Sequence, residues 1–392
     1  MTIKVELFGK FYDNHSFSII NRHLLKELTK IPTLDVYIST VDNYDPKYKV
    51  DKDIISLIEE YKEKRTKLAN PPDMLVIHTY PPVWRWPQSD KTKIIYYQHW
   101  EYPKIPMEWQ YKWEQYADAV CCSSVWTKEN IVNAGMDPNN LHVVKPGVDT
   151  SLFNNTKKES NYINTDKYVF TFVGCSQFRK GIDILLEGWV GSFAKADKVL
   201  LFIKDNPYVY GQSPLLNEII NLQYKHSCAE IIYCDDILSE EEMANVYKNS
   251  DVIVHPYRGE GFGMHIQEAL ACGAVPLVTR GGAVDDIVTP ECGLLINSGT
   301  RFIDYTDPSV FAVKPGDSLT SMGEHGWVIE PDKGDFMTKM KSLYFQHNRE
   351  STKQLTEKAK ITKWSETASQ LNEVIERTLN DISEVPKRIR SR

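Results

Sequence analysis

Short apolar runs alternate with longer amphipathic stretches along the whole chain. In the first half the runs are Val5–Phe8, Val36–Ile38, Leu75–Ile77, Ile94–Tyr97, Val120–Cys122 and Leu141–Val144. In the second half they are Tyr168–Val173, Val199–Ile203, Ile231–Tyr233, Val252–Val254, Pro276–Val278 and Leu294–Ile296. Each has strand length and most lack strict alternation, as expected of parallel strands buried on both faces. Helical spacing occupies the intervals Ile19–Leu28, Ile54–Leu68, Thr127–Ala134, Ile182–Ala194 and Glu240–Lys248. This rhythm predicts an α/β architecture with helices covering parallel sheets. Two sets of about six runs predict two Rossmann-like domains facing a central cleft.

The first set ends at Lys145-Pro-Gly-Val-Asp149, and the polar, aperiodic stretch Thr150–Lys167 reads as the interdomain linker. The expected division is residues 1–150, residues 151–360, and a C-terminal helical region, 361–392. Leu355, Ala359, Trp364, Ala368, Leu371, Ile375, Leu379 and Ile382 recur at roughly helical spacing there. Such an apolar face can dock across both domains, and the region is expected to return to the first. Residues Gly299–Gly326, rich in Ser, Thr, Asp and Gly, read as an irregular insertion.

Composition narrows the class. A chain of 392 residues that is 42% hydrophobic and 25% charged is neither disordered nor fibrous. The net charge of −7 argues against a nucleic-acid partner but allows a locally basic pocket for a phosphorylated small molecule. Seven cysteines, an odd count without a CxxC pair, read as buried thiols in a reducing compartment rather than a disulfide framework or zinc site. No signal-peptide run or transmembrane stretch stands out, so the expected location is cytoplasmic. The basic end Lys387–Arg392 reads as a solvated tail or a weak peripheral contact with anionic lipid.

The most informative segment is His255-Pro-Tyr-Arg-Gly-Glu-Gly-Phe-Gly-Met-His-Ile-Gln-Glu-Ala-Leu-Ala-Cys-Gly273. A strand passes through a glycine turn into a helix near Met264–Ala271. Backbone N–H groups at such a helix start favour an anion. Glu260 precedes the helix and Glu268 lies within it. Two carboxylates also fit a glycosidase, or are simply surface acids. The glycines favour a diphosphate ligand, with Glu260 accepting from sugar hydroxyls and Glu268 from a ribose. In a second strand–loop–helix passage, Phe172–Asp183, Arg179 and Lys180 precede Gly181. They are either solvated cations or a phosphate clamp at the carboxyl edge of the sheet.

Arg258-Gly-Glu-Gly-Phe-Gly-Met-His-Ile-Gln-Glu-Ala-Leu-Ala-Cys-Gly-Ala-Val-Pro276 closely resembles the Glu-x7-Glu signature of the family-4 retaining glycosyltransferases, which have the GT-B fold. Similar matches follow in order along nearly the whole chain. Phe178–Gly181 resembles the diphosphate-binding Lys-Gly segment. Ser123–Thr127 and Lys145–Phe153 resemble the serine turn and interdomain passage. Asn249–Pro256 resembles the run into the signature, and Gly281-Gly282 with Asp285–Val288 its continuation.

The resemblance implies transfer of a sugar from a nucleotide-diphosphate sugar to an acceptor hydroxyl, with anomeric configuration retained and neither metal nor cofactor required. Arg179 and Lys180 then neutralise the diphosphate with the backbone N–H groups of Gly261, Phe262, Gly263 and Met264, and Glu260 and Glu268 hold hydroxyls. His99 matches the family's histidine after a central strand and is expected at the donor sugar or its acceptor-side edge. Gly9 lies where the family's first loop nears the donor phosphates. This chain has Gly9-Lys10 instead of two glycines, so Lys10 is a substitute charge. Other departures are Cys175 where many members carry Arg, His265 for a usual Pro, and Asp285 for Glu. Asp235-Asp236 reads as a loop near the nucleobase rather than a metal motif. Trp84, Trp86 and Trp100 are candidates for stacking on a saccharide acceptor, as well as for core packing. Two alternatives remain: a non-catalytic nucleotide-sugar sensor on the same fold, and a sugar phosphorylase.

Overall fold

The computed structural model describes residues 2–87, 89–156, 160–207, 215–307, 322, 325–346 and 354–381. The chain divides into two compact units. One comprises residues 1–100, 104–147 and 362–392; the other comprises 101–103 and 148–361.

The first unit holds a six-stranded sheet in the order β2-β1-β3-β4-β5-β6. The strands are β1 (Ile3–Gly9), β2 (Leu34–Thr40), β3 (Met74–His78), β4 (Lys93–Gln98), β5 (Ala119–Cys122) and β6 (Leu141–Val143). All pair in parallel, with Val5 opposite both Val36 and Met74. Burial on both faces explains why the runs are continuously apolar rather than alternating. Helices α1 (Ser16–Leu28), α2 (Lys52–Thr66), α3 (Met107–Tyr116) and α4 (Val125–Asn133) occupy the connections. Asp51 caps α2 and Ser124 caps α4 by accepting backbone N–H bonds.

The second unit has the order β12-β11-β10-β7-β8-β9, again all parallel. Its strands are β7 (Tyr168–Val173), β8 (Val199–Lys204), β9 (Glu230–Cys234), β10 (Val252–His255), β11 (Val275–Thr279) and β12 (Leu294–Ile296). Helices α5 (Ile182–Ser192), α6 (Leu216–His226), α7 (Glu240–Lys248), α8 (Met264–Ala271) and α9 (Lys333–Gln346) complete it. A capping box at Ser239 and Glu242 starts α7. The core under the sheet gathers Phe170, Phe172, Leu185, Trp189, Val254 and Met340.

Every apolar run is a strand. The insertion expected over Gly299–Gly326 is not irregular throughout. It begins in β13 (Ser298–Ile303), paired antiparallel with β14 (Gly326–Pro331). The β13 residues are exposed, so no buried face marks them in sequence. The expected linker is packed rather than free: Phe153 and Ile163 are buried in the second unit. Three helices, α3, α6 and α9, lacked a clear signal. In α3 the buried positions are two tryptophans, Trp109 and Trp113, behind Pro106, which offers no side-chain cap.

The apolar repeat after Leu355 is interrupted. Leu355, Ala359 and Ile361 pack in the second unit. The final helix α10 (Trp364–Asn380) belongs to the first. There, Trp364 stacks on His23 with rings 4.6 Å apart and nearly parallel. Thr367 Oγ1 donates to the Lys145 carbonyl (2.8 Å) and Gln370 Oε1 accepts from the Lys145 amide (2.9 Å). A Cβ on Gly147 would fall 2.3 Å from the Trp364 nitrogen, so only glycine admits the helix this close. The tail 387–392, with its lipid-contact expectation, and Ile382 lie outside the described residues.

Candidate active site

Each sheet has one place where strand order reverses, and in open parallel sheets ligands bind beyond the strand ends there. In the second unit it lies between β7 and β10. Two loops leave these strands side by side. The first turns through Phe178–Lys180 to Gly181, at φ +71°. A Cβ on Gly181 would meet the Pro256 carbonyl oxygen at 1.9 Å, so glycine is what lets the loops touch. The Arg179 carbonyl accepts from the amides of Arg258 (2.7 Å) and Gly259 (3.3 Å).

This lacing brings three charges together. Lys180 Nζ lies 2.5 Å from Glu260 Oε2, and Arg179 Nη1 lies 4.0 Å from the same oxygen. Arg179 Nη2 also pairs with Glu101 at 3.1 Å. Arg179, Lys180 and Glu260 are each only 8% exposed, so the pair of cations is not a solvated surface patch. Burial pushes the Glu260 carboxyl up, but Lys180, His255 and Arg179 outweigh it and hold the group well below the usual carboxylate range. Burial lowers Lys180, with Glu260 opposing and Arg179 reinforcing the shift.

Arg258 was not expected to matter. It is 2% exposed, makes paired bonds to Asp183 (2.8 and 2.7 Å) and to Glu330 (2.7 and 3.2 Å), and lies over the Phe178 ring. It also donates to the Phe178 carbonyl at 2.9 Å, tying both loops to α5 and β14. An arginine one residue before a glycine–glutamate turn was the available signal.

Beyond Glu260 the chain passes Gly261 and Phe262 to Gly263, at φ +100°, which opens α8. The first amides of a helix have no partner within it, and they face the direction an anion favours. Glu260 Oε1 accepts from the Gly261 amide at 3.1 Å. His255, His265 and Glu260 place ligand-type atoms within 4.8 Å of one another. A divalent cation there would have to displace Lys180 from Glu260 and tolerate Arg179 beside it. Both rings are neutral: burial lowers His255 to about 4, and burial and His255 hold His265 well below its ordinary value. His255 Nε2 lies 3.5 Å from Glu260 Oε2, while His255 Nδ1 and His265 Nε2 have no hydrogen-bond partner among the described residues.

Glu268 is half-buried further along α8, beside Glu240 and Tyr247. Burial and Glu240 push its carboxyl up to about 8, with the Tyr247 hydroxyl opposing. Cys175, at the start of the β7 loop, donates to the Asn206 carbonyl and is half-buried.

In the first unit the order reverses between β1 and β3. Gly9 ends β1, and a Cβ there would fall 2.3 Å from Asn21 Nδ2 and 2.4 Å from the His78 carbonyl. The glycine therefore serves a close packing of α1 against β3. Lys10 pairs with Asp13 at 3.5 Å. His99, after β4, is hydrogen-bonded ring to ring with His78 at 2.9 Å. Of the tryptophans considered for acceptor stacking, Trp100 is in the core, 1% exposed, with Nε1 donating to the Lys104 carbonyl. Core packing wins there. Trp84 is half-buried against Tyr96 and Tyr116, while Trp86 is 48% exposed.

Two α/β units, each with a parallel six-stranded sheet, define the GT-B fold. The model of "Glycosyl transferases group 1" matches residues 153–304, and that of "Glycosyltransferase Family 4" matches residues 40–152. The chain belongs to the family-4 glycosyltransferases. Among curated relatives, it is 28% identical to the MMP alpha-(1->4)-mannosyltransferase of Mycolicibacterium hassiacum over 185 residues, 46% of this chain and 42% of the relative. It is 28% identical to the D-inositol 3-phosphate glycosyltransferase of Segniliparus rotundus over 167 residues, 41% of this chain and 37% of the relative. The alignments thus take in less than half of each relative's length. Among solved structures, Anabaena HepE in complex with UDP and glucose superposes with a TM-score of 0.58 at 12% identity, covering 96% of this chain and all of the other.

Proposed function

We propose that the chain is a retaining glycosyltransferase that moves a sugar from a nucleotide-diphosphate sugar to a hydroxyl of a saccharide or other glycan. The observation that carries this reading is the buried Arg179–Lys180 pair, held over Glu260 at the strand-order reversal of the second unit. Two cations buried beside a helix start are poised for an anion. A diphosphate takes Glu260's place as partner of Lys180 and Arg179. The freed Glu260 carboxylate turns to sugar hydroxyls, which are donors. The solved complex of HepE with UDP and glucose supports a donor of this class.

The glycosidic C–O bond to the phosphate breaks through an oxocarbenium-like transition state. The acceptor oxygen attacks from the face the phosphate leaves, and the departing phosphate oxygen takes the acceptor proton. Arg179, Lys180 and the amides of Gly261–Met264 stabilise the charge that grows on the leaving group, the step where electrostatic stabilisation acts most. No protein nucleophile and no metal enter this scheme. Glu268, largely protonated until its carboxyl meets a pair of donors, suits a ribose diol. Trp84 and Trp86 are the aromatic faces available to an acceptor sugar in the first unit. No helix among the described residues is long and apolar enough to cross a membrane. All seven cysteines are free, which favours a reducing compartment such as the cytoplasm.

Transfer from a panel of nucleotide-sugars, with the anomeric configuration of the product read by NMR, tests the reading. Retention with activity undiminished by EDTA is expected. Inversion, or loss in EDTA restored by Mn²⁺, overturns the scheme. Phosphate-dependent release of sugar 1-phosphate without nucleotide overturns it in favour of a phosphorylase.

A further inference from the structure

A further buried cation of the second unit takes no part in the cluster around Glu260. Lys204 ends β8, opposite Val173 of β7 on one side and Cys234 of β9 on the other, and is 8% exposed. Side chains alternate along a strand, so Lys204 shares the face of Phe202, which packs with Cys234 and Leu238. A lysine carries three N–H donors and no acceptor. Among the described residues its ammonium makes one hydrogen bond, to the Asp205 carbonyl at 2.5 Å.

The Asp205 carboxylate is already engaged. Oδ1 accepts from the amides of Ser176 (3.2 Å) and Asn206 (2.6 Å), and Oδ2 accepts from the Tyr233 hydroxyl (2.9 Å). Burial lowers the Lys204 pKa, against the opposing pull of Cys234, Asp205, Cys175 and Asp235. A buried ammonium with donors to spare is costly. An apolar side chain of similar length would extend the Phe202 layer without that cost, so packing gives no reason for the charge.

The order of strands says what Lys204 meets. Glu260 follows β10, Arg179 and Lys180 follow β7, and Lys204 ends β8; these are neighbouring strands in that order. A nucleotide-diphosphate sugar has its parts in the same order: sugar, diphosphate, nucleoside. With the sugar at Glu260 and the diphosphate at Arg179 and Lys180, Lys204 falls at the nucleoside. The Gly174 amide donates to the Lys204 carbonyl at 3.0 Å, tying the two strand ends together. Cys175 is within reach of both groups: burial pushes its thiol up to about 11, against Lys180, Arg179 and Lys204. On the nucleobases, uracil O4 and guanine O6 accept where cytosine and adenine carry amines.

We infer that Lys204 is a specificity-determining residue that donates to this exocyclic oxygen of the donor's base, so that uridine or guanosine diphosphate is bound in preference to cytidine or adenosine diphosphate. The inference rests on the nucleotide-sugar reading of the Arg179–Lys180 site.

Calorimetric titration of the full chain with UDP, GDP, CDP, ADP and inorganic pyrophosphate tests it. UDP or GDP is expected to bind at least about tenfold more tightly than CDP and ADP. Lys204→Met keeps the length of the side chain and removes its donors. It is expected to weaken the preferred nucleotide about 10- to 100-fold and to change CDP, ADP and pyrophosphate by less than about threefold. A loss shared by every nucleotide and by pyrophosphate overturns the inference in favour of a phosphate contact. An unchanged preference in Lys204→Met also overturns it. So does a wild type that binds CDP or ADP as tightly as UDP and GDP, a result that needs no variant and leaves the nucleotide-sugar reading standing. If neither pyrophosphate nor any nucleotide binds the wild type, the nucleotide-sugar reading itself fails, and the inference with it.

Discussion

The two units place functional candidates at the same topological position but build them from different chemistry. In the second, the reversal point holds charged groups: Arg179, Lys180 and Glu260 buried together, with the partly exposed Glu101 pairing to Arg179. In the first, it holds groups aligned by hydrogen bonds, Asn21, His78 and His99, with the His78 ring buried and its pKa lowered. On the proposed reading, the charge network stabilises charge that develops on a leaving group, while the hydrogen bonds of the first unit hold side chains in fixed orientations. One fold plan accommodates both, because the strand ends fix positions while the loops choose the residue types.

The largest expected effect breaks the charged side of this contrast. Lys180→Ala should lower turnover on the order of 10²–10³-fold, measured as sugar transfer under saturating donor. A loss below about threefold would show that the network is structural and place the chemistry elsewhere. Next in size is Arg258→Ala, which should act on stability. It leaves Asp183 and Glu330 facing each other without their shared partner, and both are partly solvated. A loss of about 2 kcal/mol is expected, less than for a fully buried pair, read as a lower midpoint in urea or heat.

The pH dependence sharpens the comparison within the second unit. Glu260 is depressed, so its contribution is present above the unfolded carboxylate value and is lost as pH falls through the folded value, well into acid. Glu268 is raised to about 8, so the folded state holds its proton more tightly. Its contribution is present below the unfolded value and is lost as pH rises toward 8. Glu268→Gln should flatten the decline in melting temperature between about pH 5 and 8 while leaving the acid limb unchanged. An identical pH profile in the variant removes Glu268 from this account. The smallest effect belongs to the first unit: Trp86→Ala should raise acceptor KM by less than about tenfold and leave donor KM alone.

Legibility in the sequence followed the same division. The strands were readable because burial on both faces leaves a continuous apolar run. Arg179, Lys180 and Glu260 were readable because glycines marked their loops. That these groups interlock through Gly181 and Pro256 was not, since the contact joins segments some 80 residues apart, as the Lys180–Glu260 bond does. Asn21 and His78 escaped notice altogether. An asparagine on a helix and a histidine at the end of an apolar strand carry no local signal, and only β1–β3 pairing brings them together. Exposed β13 and the tryptophan-rich α3 were missed for the related reason that neither shows the expected period of buried aliphatic residues.

The last helix closes a circle in the chain: residues near 364 to 380 complete a unit that starts at residue 1, with the other unit's sequence synthesised in between. A nascent polypeptide emerging from the ribosome therefore presents the N-terminal sheet without the Trp364 cover on His23. That face must wait, bare, through more than 200 further residues, while the second unit has all of its own sequence as soon as residue 361 appears. The order of maturation inverts the order of translation. Chaperone dependence should accordingly track the exposed side of α1, and a stop codon just before Thr362 should release a chain whose second unit is whole and whose first is not.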